Sequence, residues 1–207
     1  KQKSAYEIVS RDWSSDVCSS DLYYAFEWGS ALFVTLDPFW PTQQRSGRAG
    51  SGWDITLGSE QYRWLEETLA RSAANLKFVF VHHLVGGSGA EHRGGVEFAG
   101  LFEWGGASPD GREEFAARRP GWPMPIHALL AKYGVNIVFH GHDHLFAHQE
   151  LDGVTYQAVP QPSHPEQRVQ TLANAYGYAT GDILPSPGPQ RVGVNGTSAT
   201  EIGRAHV

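Results

Sequence analysis

"VNIVFHGHDH", residues 135–144, joins a mostly apolar run to three histidines in five positions. Residues 135–139 show no polar–apolar alternation, which reads as a buried strand of an α/β sheet. Gly141 lets the chain turn sharply where that strand ends, so that His142 and His144 can leave it and point into one site. Neutral imidazole is the commonest nitrogen ligand for a metal. Two histidines two positions apart seldom reach one ion together with a third ligand from the same loop. They can serve two ions a few ångströms apart, an arrangement suited to phosphoryl chemistry.

A second stretch of the same kind lies upstream. "KFVFV", residues 77–81, is a short apolar run of the type covered on both faces, and it ends directly in His82-His83. In open α/β sheets, ligands bind beyond the carboxyl ends of the strands, so both runs deliver histidine to the edge where a site would form. Residues 59–72 read as a helix with Tyr62, Leu65 and Leu69 on one face. Residues 125–133 read as another, with Pro125 at its start and Gly134 at its stop. Residues 23–28 and 31–37 form β-rich runs joined by Gly29-Ser30. "LFAHQEL", Asp152-Gly153 and "VTYQAV" predict a hairpin with a two-residue turn, and residues 191–194 begin a last strand. Strand, helix, strand, helix, strand gives an α/β fold with antiparallel pieces at its margins. Residues 84–125 form a long aromatic-bearing insertion.

With 18% charged residues, a net charge of -6 and no run of Lys and Arg, the composition argues against a general nucleic-acid binder. No apolar run approaches the roughly 20 residues of a membrane-spanning helix.

The two ends read differently from the rest. "RDWSSDVCSSDL", residues 11–22, resembles one frame of a common short-read sequencing adapter. Residues 1–8, "KQKSAYEI", differ at Ser4 alone from the translation of that adapter's outer part. "EIGRAHV", residues 201–207, resembles its other end, and the next adapter codon is a stop. We therefore expect residues 1–22 and 201–207 to be non-native, and the natural polypeptide to extend beyond residues 23–200 on both sides. Without these segments the chain holds 12 Lys and Arg against 17 Asp and Glu, and it has no cysteine.

"VFVHHL" followed, after a helix and a strand, by "FHGHDH" resembles the C-terminal portion of a calcineurin-like metallophosphoesterase domain, the group that includes purple acid phosphatases. The hairpin "YYAFEWGSALFVTLD" and the helix "LGSEQYRWLEETLA" occupy the corresponding places, so the resemblance covers nearly all of residues 23–200. It implies an α/β/β/α sandwich with mixed sheets, a two-metal site holding Fe, Mn or Zn as divalent or trivalent ions, and hydrolysis of a phosphate ester. Within that pattern His82 and His142 match ligands of the second ion, and His144 matches a ligand of the first. The three earlier blocks, Asp-x-His, Gly-Asp-x-x-Asp/Asn and Gly-Asn-His-Asp/Glu, have no match here. The resemblance places them, with the bridging aspartate and the leaving-group histidine, ahead of Tyr23. The expectation is weak metal binding and negligible turnover by this chain.

Other residues carry two readings each. His83, next to His82, faces the other side of its strand and so packs beside the ligands. His140 precedes the turn and supports the ligands or the strand, and His148 is a surface or core histidine. Asp143 is a solvated loop residue or a support for its histidine neighbours. Arg93, in "EHRGG", meets a phosphate oxygen or is an ordinary surface arginine. Trp104 and Trp122 anchor the insertion or wall a pocket. Asn195-Gly196-Thr197 fits a glycosylation sequon. Against the phosphoesterase stand a mononuclear His-x-His enzyme, of cupin type with Glu150 or of amidohydrolase type, and a degenerate module that binds ligand without catalysis. The strand–helix alternation opposes a jelly roll.

Overall fold

The structure is a computed structural model that describes residues 22–39, 52–86, 94–143 and 146–159. Six strands form one mixed sheet in the order β1-β2-β3-β4-β6-β5. They are β1 Tyr24–Trp28, β2 Ala31–Leu36, β3 Leu76–Val81, β4 Ile137–His140, β5 Ala147–Leu151 and β6 Val154–Ala158. The four central strands β2, β3, β4 and β6 run parallel, while β1 and β5 flank them antiparallel. The expected α/β class with antiparallel margins is the class found. The second sheet of a sandwich is not among the described residues, and the strand expected at residues 191–194, the sequon and both adapter-like ends lie outside them.

Helix α1, Gly58–Arg71, buries Tyr62, Leu65 and Leu69, the stripe expected from the sequence. Its first turn lacks a side-chain cap of its own. Glu103 substitutes, accepting a hydrogen bond from the Leu57 amide at 2.9 Å, and the Thr56 hydroxyl holds the Gly58 amide at 2.8 Å. Glu103 belongs to α2, Phe102–Gly105, a single turn inside the insertion. Its side chain is fully buried and paired with Arg119, just past α3, Phe115–Arg118. Burial raises the Glu103 carboxyl above its usual range, while Arg119, Thr56 and Leu57 pull it back. Helix α4, Ile126–Lys132, follows Pro125 and stops at Gly134, whose φ of +66° favours glycine.

These helices cover one face of the sheet. Val34, Val79, Val138 and Tyr156 meet Leu65, Leu69, Leu129 and Leu130 in one core, each buried side chain contributing about 1.5–3 kcal/mol. Trp104 and Trp122 are both buried here; Trp104 anchors the insertion, while Trp122 also lines a cavity with Trp53 and Arg119. Trp122 stacks on Tyr62 with ring centroids 3.9 Å apart. The Trp104 indole N–H donates to the Tyr156 hydroxyl at 2.9 Å. The Tyr156 proton is then directed to Nδ1 of His127 at 2.8 Å, leaving Nε2–H of His127 to donate to Asp152 at 3.0 Å. That chain ties α2 and α4 to the β5–β6 hairpin. The hairpin turns through Asp152 and Gly153, both at positive φ, as the Asp-Gly pair predicts.

The opposite face carries no helix among the described residues, so the cover expected there for residues 77–81 lies outside them. In β3, Val79 and Val81 are buried, whereas Phe80 on the other phase is 36% exposed. A continuous apolar run does not distinguish two buried faces from one buried face and one aromatic one. Here the second phase is aromatic: Phe33 packs between Phe26 and Phe78 at 5.0 and 5.3 Å, and Phe80 stacks on Phe139 at 5.1 Å.

Candidate metal centre

Three parallel strands deliver side chains to their common carboxyl edge. Past β2 stands Asp37, past β3 His82 and His83, and past β4 Gly141 and His142. The strand ends are tied together. The Gly141 amide donates to the His82 carbonyl at 2.9 Å, and the Val159 amide donates to the His140 carbonyl at 2.7 Å. His142 has a φ of +71°, a left-handed conformation that histidine tolerates better than most residues. Together with Gly141 it swings the chain off β4 and back toward β3.

The result is a close imidazole pair. Nε2 of His82 lies 2.9 Å from Nδ1 of His142, with the rings nearly perpendicular at 84°. Two ring nitrogens at this spacing hold one proton between them. An ion with metal–nitrogen bonds of about 2.0–2.1 Å would see both nitrogens at an angle of about 90°. The pair therefore fits two donors of a single coordination sphere, after loss of the shared proton. No group of three or more His, Cys, Asp or Glu converges among the described residues. His144 and Arg93 lie outside them.

The neighbours are built to hold the pair. The His83 ring is buried, 5.6 Å from the rings of both His82 and His142. Its Nδ1–H donates to the Leu84 carbonyl at 3.0 Å, which fixes the tautomer. Phe39 sets its ring edge-on to His83 at 4.9 Å. Asp37 is pinned by Gln61, which accepts from its amide at 2.8 Å and donates to its carbonyl at 2.9 Å. The Asp37 carboxylate accepts from the Phe39 amide at 2.9 Å.

His140 takes a different place. Its ring turns to the helix-covered side, 6.5 Å from Tyr156, and burial pushes its pKa down to about 4. Its Nε2 has no hydrogen-bond partner. It is a neutral core residue beneath the turn. Asp143 is buried as well, where a solvated loop residue was the default expectation. Its carboxylate accepts from the Gly94 amide at 2.9 Å. Gln149 on β5 adds a second clasp, accepting from the Val96 amide at 2.9 Å. The insertion is thereby fastened to the histidine turn immediately after residue 93.

A shallow cleft of about 430 Å³ opens beside the pair, lined by His82, Phe80, Phe139, Gly141 and Val159 among others.

Neither a protein-family model nor a curated protein sequence matches this chain. Solved structures similar to it include a purple acid phosphatase, PPD1 from yellow lupin seeds, at 16% identity and a TM-score of 0.38. One neighbour is thus a phosphatase. PhoD is similar at 14% identity and a TM-score of 0.43, and GAP50, the anchor in the inner membrane complex of Plasmodium, at 13% and 0.38. These likenesses cover 66%, 79% and 70% of this chain in turn, but only 22%, 34% and 38% of the other chains. They are likenesses of fold, and no residue role is taken from them.

Sequence reasoning missed Asp37, Gln61 and the Asp143–Gly94 clasp. Asp37 had a signal: it is an acid directly after a strand that reaches the same sheet edge as His82. Gln61 and Gly94 had none, because their partners are 24 and 49 residues away.

Proposed function

We propose that His82 and His142 bind one metal ion, that His144 binds a neighbouring one, and that the parent domain hydrolyses a phosphate ester. The observation that carries this reading is the 2.9 Å imidazole pair at the carboxyl edge of the parallel strands. Fe, Mn and Zn all suit imidazole donors. Two such ions would clamp the ester oxygens and offset charge on the leaving group. The chain's own residues do the positioning. His83 buttresses the pair from beneath, and the strand-end amides fix its spacing. The Asp143 carboxylate holds the Gly94 amide beside the histidine turn, and the reading assigns Arg93 to a phosphate oxygen on its guanidinium chemistry alone. Monoesters, diesters, nucleotides and phospholipid head groups all fit this chemistry. The reading takes the bridging carboxylate and the remaining ligands from the sequence blocks that this chain lacks.

The test is hydrolysis of an aryl phosphate with Mn, Zn or Fe supplied, alongside metal stoichiometry by mass spectrometry. Negligible turnover by this chain is expected. A domain that also carries the three missing blocks should turn over, with two ions per chain and a strict need for His82 and His142. Robust two-metal turnover by the 207-residue chain itself would refute the assignment of the missing blocks. One ion per chain in the larger domain would favour the mononuclear reading, which the convergence of two imidazoles on one point also supports.

A further inference from the structure

Helix α1 buries Tyr62, Leu65, Leu69 and, unlike them, a glutamine. Gln61 is fully buried. An amide taken out of water costs free energy unless its polar atoms find partners, a demand that leucine in the same space would not make. Here backbone meets the whole demand. Oε1 of Gln61 accepts from the Asp37 amide at 2.8 Å, and Nε2 donates to the carbonyls of Asp37 at 2.9 Å and Leu57 at 3.3 Å. A side-chain amide offers the same donor and acceptor as a peptide group. Gln61 thus does for Asp37 what a further strand would do. It acts one residue beyond the last pair of the β2–β3 ladder, Leu36 with Val81, and so keeps Asp37 level with His82.

From Asp37 the support passes on. Its carboxylate accepts from the Phe39 amide at 2.9 Å, closing a turn through Pro38, which is buried and whose ring restricts φ. The Phe39 ring then lies edge-on to His83 at 4.9 Å and tilted toward His82 at 6.3 Å. His83 in turn stands 5.6 Å from the rings of both His82 and His142. We infer that Gln61 is a positioning residue for the imidazole pair, acting on His82 and His142 through the Asp37–Phe39 turn. The pair depends on such support, because a shared proton at 2.9 Å is lost when either ring tilts away. The consequence for metal affinity rests on the proposed function; the positioning itself does not.

The experiment is long-range proton–nitrogen NMR of the histidine rings in the full 207-residue chain, followed by calorimetric titration with zinc. In the metal-free chain His82 and His142 should show one shared proton, their signals assigned by loss in His82→Gln and His142→Gln. Gln61→Leu should shift both ring signals and weaken the tightest zinc binding about tenfold, as loss of a group that orients ligands does. Phe39→Leu, at a side chain 48% exposed and so marginal to folding, should move the same signals and weaken zinc by a smaller factor. Asp37→Asn keeps an oxygen for the Phe39 amide and should recover most of what Asp37→Ala loses. Leu65→Ala, one turn along α1, should lower stability while leaving the ring signals and zinc affinity as they are. Unchanged ring signals in Gln61→Leu would reduce the glutamine to a tie between β2 and α1 and overturn the inference. So would a Leu65→Ala chain altered in the same way, or an Asp37→Asn chain as damaged as Asp37→Ala. Zinc that ignores both histidines would refute the metal reading alone, since the metal-free ring signals still decide the positioning role.

Discussion

The two faces of this sheet are made from the same strands yet live under different rules. On the helix-covered face Val34, Val79, Val138 and Tyr156 lock into a core with Trp104 and the leucines of α1 and α4. On the other, Phe26, Phe33, Phe78, Phe80 and Phe139 stack or tilt against one another along the sheet, with no described element above them. The difference teaches where stability resides. Side chains of the first face are held by partners in three dimensions, and those of the second by neighbours in two. Polar groups on the first face are mostly paired, as the Glu103–Arg119 pair and the Trp104–Tyr156–His127–Asp152 chain show, with His140 the exception.

The sharpest test of that contrast is Glu103→Ala. It strands Arg119 and frees the amide of Leu57 at the start of α1, and the expected cost is about 3–5 kcal/mol in chemical denaturation. A cost below about 1 kcal/mol would mean that water reaches the pair.

Second in size is a pH effect. The folded His140 pKa of about 4 lies below the ordinary histidine value of about 6.5, so the unfolded chain binds the extra proton between these limits. Stability is therefore full above about pH 6.5 and falls as pH drops toward about 4, by up to about 3 kcal/mol. In His140→Leu this part of the slope should vanish; an unchanged slope would locate the titration elsewhere.

Tyr156→Phe comes third. It removes the acceptor for the Trp104 N–H and the donor to His127, both inside the core, and should cost about 1–3 kcal/mol. The smallest effect belongs to the open face. Trp28→Ser, at a side chain 75% exposed, should shift stability by no more than about 0.5 kcal/mol. A loss comparable to that of Tyr156→Phe would erase the distinction between the faces.

Local pattern made much of this legible. Periodicity gave α1 and α4 to within a residue or two, and the Gly29-Ser30 and Asp152-Gly153 pairs gave both hairpins. The strand-end positions of His82 and His142 predicted that the two would meet, because parallel strands gather their carboxyl ends on one edge, and the rings do lie 2.9 Å apart. What could not be read depends on distant contacts. Glu103 sits between Phe102 and Trp104 in an insertion without period, and its role appears only when the start of α1, 46 residues earlier, is laid over it. The open face escaped notice because phenylalanine is as common in a covered strand as in a bare one. Asp143 looked like a loop acid until Gly94 arrived from the far side of the insertion.

The central claim concerns the imidazole pair, and calorimetric titration of the chain with zinc tests it most directly. The account predicts that His82→Gln and His142→Gln each weaken the tightest binding event at least tenfold. It also predicts that the double variant is no worse than the sum of two lost ligands on one ion. Zinc bound equally well by the wild type and the double variant would show that His82 and His142 are a hydrogen-bonded pair and not a metal site.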